Sequence, residues 1–127
     1  MKLFVSGFVA AAALLIGGAN AQTAITVSMT NYAFTPSTLT LKAGETYRIH
    51  FSNDAGKGHD FTAREFFQSA TVAPADKSKL EDGDEVELDG GQSTDITLTP
   101  NKPGTYPVTC THFMHAMLGM TGKIVVQ

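Results

Sequence analysis

Eleven consecutive residues, Cys110-Thr111-His112-Phe113-Met114-His115-Ala116-Met117-Leu118-Gly119-Met120, contain the only cysteine of the chain, two of its four histidines and three of its five methionines. Thiolate, imidazole and thioether are soft donors that together suit copper. Two imidazoles and a thiolate in a plane, with a long, weak axial thioether, make a one-electron copper centre. Cys110, His115 and Met120 supply three such donors at the spacing Cys-x4-His-x4-Met, so a second histidine has to arrive from elsewhere in the chain. His112 and Met117 compete locally. His112 shares strand parity with Cys110, so an extended continuation would place it on the same side. A Cys-x-His chelate is geometrically tight, however, and a glycine precedes Met120 but not Met117. Packing and loop filling are the bland roles for His112, Met114 and Met117, since methionine is an adaptable filler.

That spacing, running on into Gly122-Lys123-Ile124-Val125-Val126, resembles the C-terminal ligand loop of the cupredoxins, the family of plastocyanin and azurin. Gly58-His59-Asp60-Phe61 resembles the family's mid-chain histidine position, and Phe34 to Leu39 followed by Lys42-Ala43-Gly44 is similar to its N-terminal hairpin. The resemblance implies an all-β Greek-key β-sandwich or barrel and one copper ion alternating between Cu(I) and Cu(II). It also implies His59, Cys110, His115 and Met120 as the ligands. His115 is then expected at the surface, ringed by Phe113, Met114, Ala116, Met117 and Leu118. A redox protein, a cytochrome or a copper or haem oxidoreductase, would dock there through a small interface of below roughly 1,200 Å2. In many members an asparagine follows the mid-chain histidine and ties the ligand loops together. Here Asp60 is expected to accept a hydrogen bond from Thr111 instead. Its negative charge near the metal should favour Cu(II) and lower the potential.

The elements that must position these residues are short strands. Ile25, Val27 and Met29 alternate with polar neighbours, Phe34 is a core plug, Leu39 and Leu41 start a second strand, and Tyr47, Ile49 and Phe51 mark a third. The same parity turns Arg48, His50 and Ser52 away from the core, which argues against His50 as a ligand. Asn53 to Gly58 reads as a loop closing at His59. Residues 62–80 read as a loop or short helix outside the sandwich, with one or two helical turns over Ala63 to Ser69. Six carboxylates lie between Glu81 and Asp89. They read as a solvated edge that discourages sheet association, with a docking patch for a basic partner as the alternative. Ile96 and Leu98 mark a further strand, and Tyr106, Val108 and Cys110 share one face of the next, which turns the sulfur inward. Regular spacing of short strands predicts an antiparallel Greek-key arrangement.

Lys2, the apolar run Leu3 to Ile16 and Ala19-Asn20-Ala21 predict a secretory signal peptide over residues 1–21, a single domain over 22–127, and a periplasmic location. The apolar run is short for a bilayer, which needs roughly 20 residues, so no membrane span is expected in the mature protein. Without Lys2, eight basic residues face twelve acidic ones, a net charge of −4. That balance excludes the basic face that nucleic acid requires. A lone cysteine in an exported monomer has no internal disulfide partner, so it is either a buried small hydrophobe or a ligand. Two non-catalytic functions fit: an electron carrier, or a chaperone or copper-tolerance protein in which the spare donors pass Cu(I). An enzyme is not expected, because four histidines leave no further metal centre and no acid–base constellation.

Overall fold

The computed structural model describes residues 22–127, so the expected signal peptide lies outside the described residues. The elements, in order, are β1 (Thr23–Thr30), β2 (Ala33–Thr35), β3 (Thr38–Leu41), β4 (Tyr47–Asn53), β5 (His59–Thr62), the helix α1 (Arg64–Ser69), β6 (Thr71–Val72), a 3-10 turn at Pro74–Lys79, β7 (Glu85–Leu88), β8 (Ser93–Thr99), β9 (Gly104–Thr109) and β10 (Thr121–Val126). They form two five-stranded sheets, ordered β2-β1-β4-β8-β6 and β3-β10-β9-β5-β7.

Side-chain alternation decides what lies between the sheets. Val27 and Met29 of β1, Tyr47, Ile49 and Phe51 of β4, Ile96 and Leu98 of β8, and Ile124 and Val126 of β10 are all buried. Phe61 of β5 joins the layers, with ring centroids 5.3 Å from Phe34 and 5.0 Å from Phe51. Helix α1 closes one flank by packing Phe67 against Phe61 and Phe66 against Tyr106. The expected short helix in the 62–80 region is therefore present, and it is anchored by an apolar pair rather than by a side-chain cap. His50 faces outward as parity requires, with Nδ1 2.6 Å from Asp95.

Two features differ from the sequence-based expectation. The pairing is mixed rather than wholly antiparallel, because β1 runs parallel to β4 and β3 parallel to β10. Between β2 and β3 the chain changes sheet at Pro36-Ser37, so β1 and β4 meet without a hairpin between them, and a parallel pairing becomes available. The loop after Asn53 does end at His59, but His59 also opens a strand that the sequence did not mark, β5, which pairs with β7 on one side and β9 on the other. The acidic segment then becomes intelligible. Val86 and Leu88 of β7 point into the core while Glu85 and Glu87 lie half-exposed on the outermost strand of that sheet, where carboxylates oppose pairing with another chain.

Candidate metal centre

β9 ends at Thr109 and β10 begins at Thr121, directly opposite each other in an antiparallel pair. The intervening loop returns on itself, bound by Cys110 N–H to the Met120 carbonyl at 3.1 Å and Met120 N–H to the His115 carbonyl at 3.0 Å. Gly119 makes that return possible. Its φ of +101° lies in the region that L side chains avoid. Inside the return, Cys110 and Met120 are buried, whereas Met114 and Met117 are exposed.

The loop and β5 bring three donors to one point. Cys110 Sγ lies 3.4 Å from His115 Nδ1 and 3.9 Å from His59 Nδ1, and the two Nδ1 atoms are 3.1 Å apart. A triangle with those sides has its corners about 2 Å from a common centre, which is a metal–imidazole bond length and slightly short of a metal–thiolate one. Two imidazole lone pairs held 3.1 Å apart repel unless a proton or a cation lies between them. The residues therefore fit a soft ion with a trigonal donor plane.

Asn31 holds His59 in the orientation this requires. His59 Nε2 is 2.8 Å from Asn31 Oδ1, which accepts the Nε2–H and leaves Nδ1 free to face the sulfur. Nothing in the sequence marked Asn31, because the contact spans 28 positions and joins residues at the ends of strands in different sheets. Tyr32, next in the chain, packs edge-on against His115 with centroids 4.9 Å apart.

Asp60 ties the two ligand segments, as expected from its position, and more extensively than a single bond. β5 and β9 have only one registered pair, Thr62 with Thr109. Beyond it, the Asp60 carboxylate accepts the Thr111 N–H at 2.9 Å and the Thr111 hydroxyl at 2.6 Å, as well as the Thr62 hydroxyl at 2.7 Å. A buried side chain thus replaces the missing rungs of the ladder. His112, the local competitor, is drawn out of the donor triangle. Its Nε2 lies 2.8 Å from Glu87 and 3.7 Å from Asp60, and its ring stacks on that of His115 at 5.4 Å. Gly58 leaves the room for this, since a Cβ there would come within 3.1 Å of the His112 ring.

Burial holds both His59 and His115 below the ordinary imidazole range, reinforced at His59 by the charges of His115 and His112 and at His115 by that of His112. Burial also pushes the Cys110 thiol up. Backbone hydrogen bonds at Asp60 and His112 favour the thiolate, but burial outweighs them, and a cation at the centre would tip the balance to the thiolate.

A family model described as the cupredoxin-like domain matches residues 2–126. No curated protein sequence matches the chain. Among solved structures, dithionite-reduced auracyanin from the photosynthetic bacterium Roseiflexus castenholzii is 23% identical with a TM-score of 0.61, over 84% of this chain and 98% of that one. Auracyanin A, a "blue" copper protein of Chloroflexus aurantiacus, is 22% identical with a TM-score of 0.61, over 84% of this chain and all of that one. A multicopper oxidase of Campylobacter jejuni is 11% identical with a TM-score of 0.61, but the match spans only 31% of its length. At these identities the likeness establishes the fold.

Proposed function

This chain belongs to the cupredoxin-like domain family, and from that premise we propose that it is an exported blue copper protein that carries single electrons between redox partners. One copper ion, held by His59, Cys110, His115 and Met120, would supply the Cu(I)/Cu(II) couple. The observation that carries this reading is the convergence of Cys110 Sγ, His59 Nδ1 and His115 Nδ1 from two segments 51 or more positions apart.

The protein's own residues set the conditions for such a carrier. His59 and Cys110 are buried and braced by Asn31 and Asp60, so the donor positions need little rearrangement between redox states. Met120, buried in the same return, would supply the thioether. His115 is only half-buried and provides the way out. All four large hydrophobic side chains exposed among the described residues, Phe113, Met114, Met117 and Leu118, surround it in sequence. An exposed apolar patch of this kind suits brief docking of a cytochrome or of a copper or haem oxidoreductase to a monomer. The predicted leader supports a periplasmic setting. Catalysis has less support: beside the two histidines of the donor triangle, His112 is bound to Glu87 and His50 to Asp95. That accounts for all four histidines of the sequence.

The exposed Met114 and Met117 favour a second reading, a copper chaperone or copper-tolerance protein. A reversible one-electron couple in a protein that keeps its copper against strong chelators establishes the carrier. Transfer of Cu(I) to an acceptor protein, without such a couple, establishes the chaperone.

Loading should also release protons. Above the depressed imidazole values the histidines are already neutral and give up none, whereas the raised thiol must lose its proton to bind. Near neutral pH, Cu(I) binding is expected to release about one proton. As pH falls through the imidazole values, more protons must leave and affinity drops more steeply. Calorimetry in buffers of different ionisation enthalpy measures the count, and a count of zero at pH 7 would contradict ligation by Cys110.

A further inference from the structure

The donor set proposed above is hard to reach from solvent. His59, Cys110 and Met120 are each at most 1% exposed, which leaves His115 as the accessible member. Outside that set, the same loop carries two thioethers in the opposite situation, Met114 at 47% exposure and Met117 at 82%. Leu118 N–H bonds to the Met114 carbonyl at 3.1 Å, so both methionines leave the chain within a single closed turn. Met114 holds a φ of +63°, in the left-handed region that a methionine rarely adopts. Docking alone does not require sulfur here, because Phe113 and Leu118 already provide exposed apolar surface beside His115.

We propose that Met114 and Met117 form an entry site for Cu(I) at the mouth of the metal centre. This rests on the copper-binding reading above. Thioethers are soft donors with no proton to lose, so they select Cu(I) over hard cations. Met114 is bonded directly to His115 in the chain, and the Met120 N–H is hydrogen-bonded to the His115 carbonyl. An ion taken up by the pair would pass next to His115, the one member of the proposed donor set that is not fully buried. Transfer inward breaks the Cu–thioether contacts and forms bonds to the imidazole nitrogens and the Cys110 sulfur. The Cys110 proton goes to solvent, and copper stays Cu(I) throughout.

The test uses Met114→Leu/Met117→Leu, a volume-conserving pair that keeps the apolar surface and removes both sulfurs. With Cu(I) supplied as a coloured chelator complex to the metal-free protein, uptake is expected to slow by about tenfold or more while the final affinity changes by less than about twofold. Uptake at the unmodified rate overturns the proposal. A second measurement does not depend on the central site. In Cys110→Ser/His59→Ala protein carrying 13C-methyl methionine, Ag(I), a redox-inert stand-in for Cu(I), should shift the Met114 and Met117 methyl signals and leave buried Met29 unmoved. Static Met114 and Met117 signals overturn the proposal. If the unmodified protein takes no copper at Cys110 while the variant shows these shifts, the carrier reading is refuted and a surface Cu(I) site at Met114 and Met117 is retained.

Discussion

Replacing Cys110 with serine is expected to abolish the visible thiolate-to-copper absorption proposed for the Cu(II)-loaded protein, whereas His112→Ala should leave that absorption in place. The contrast follows from what each side chain faces. Cys110 Sγ is the common corner of the two sulfur–imidazole approaches, at 3.4 and 3.9 Å. A serine there supplies neither the soft donor nor the charge transfer from sulfur. Copper affinity should fall by more than the roughly 100-fold that losing an outer hydrogen bond to a metal ligand costs. His112 is committed to Glu87 at 2.8 Å, so its removal takes away a stacking neighbour of His115 but no corner of the triangle. Visible and EPR spectra of the two variants decide the matter. Loss of the band in His112→Ala, or its survival in Cys110→Ser, would overturn the ligand assignment.

Two substitutions at Asp60 should separate its structural role from its electrostatic one. Asp60→Ala removes the acceptor of three hydrogen bonds at a site only 1% exposed, and so leaves the Thr111 N–H without its partner. Hydrogen bonds to a charged group contribute about 1.5–3 kcal/mol each, and removing a buried carboxylate also relieves its desolvation, so a net loss of about 2–3 kcal/mol is expected. Denaturant unfolding of the metal-free protein measures that loss, and copper affinity should fall by about 10–100-fold as the ligand segments come apart. Asp60→Asn retains an oxygen acceptor at the same place and should fold nearly as well. It removes a negative charge beside the donors, which raises the reduction potential, because Cu(II) loses more stabilisation than Cu(I). An unchanged or lower potential in Asp60→Asn would show that the carboxylate acts only as a tie.

Much of this was legible along the chain because the relevant signals are local. Alternation within single strands identified the inward faces of Tyr47, Ile49 and Phe51 and of Tyr106, Val108 and Cys110, and it turned His50 outward, as the structure has it. Apolar residues between Ala63 and Ser69 suggested a helical turn, and α1 forms there because Phe66 and Phe67 bury together. The strand identity of His59 to Thr62 was not legible. Four residues with buried polar groups among them carry no clean period of two, and they form β5 only because β7 and β9 flank them.

The sequence by itself determined which donors exist, their order, and the all-β class, since strand parity and donor spacing are properties of neighbouring residues. Tertiary structure alone decided which imidazoles face the sulfur, that Asn31 orients His59, and that Glu87 draws His112 aside. It also decided the mixed sheet pairing. Apart from the approach of His115 to Cys110, these outcomes depend on contacts between residues 24 or more positions apart. Such contacts are fixed by sheet register and the crossing between sheets, which no stretch of neighbouring residues encodes.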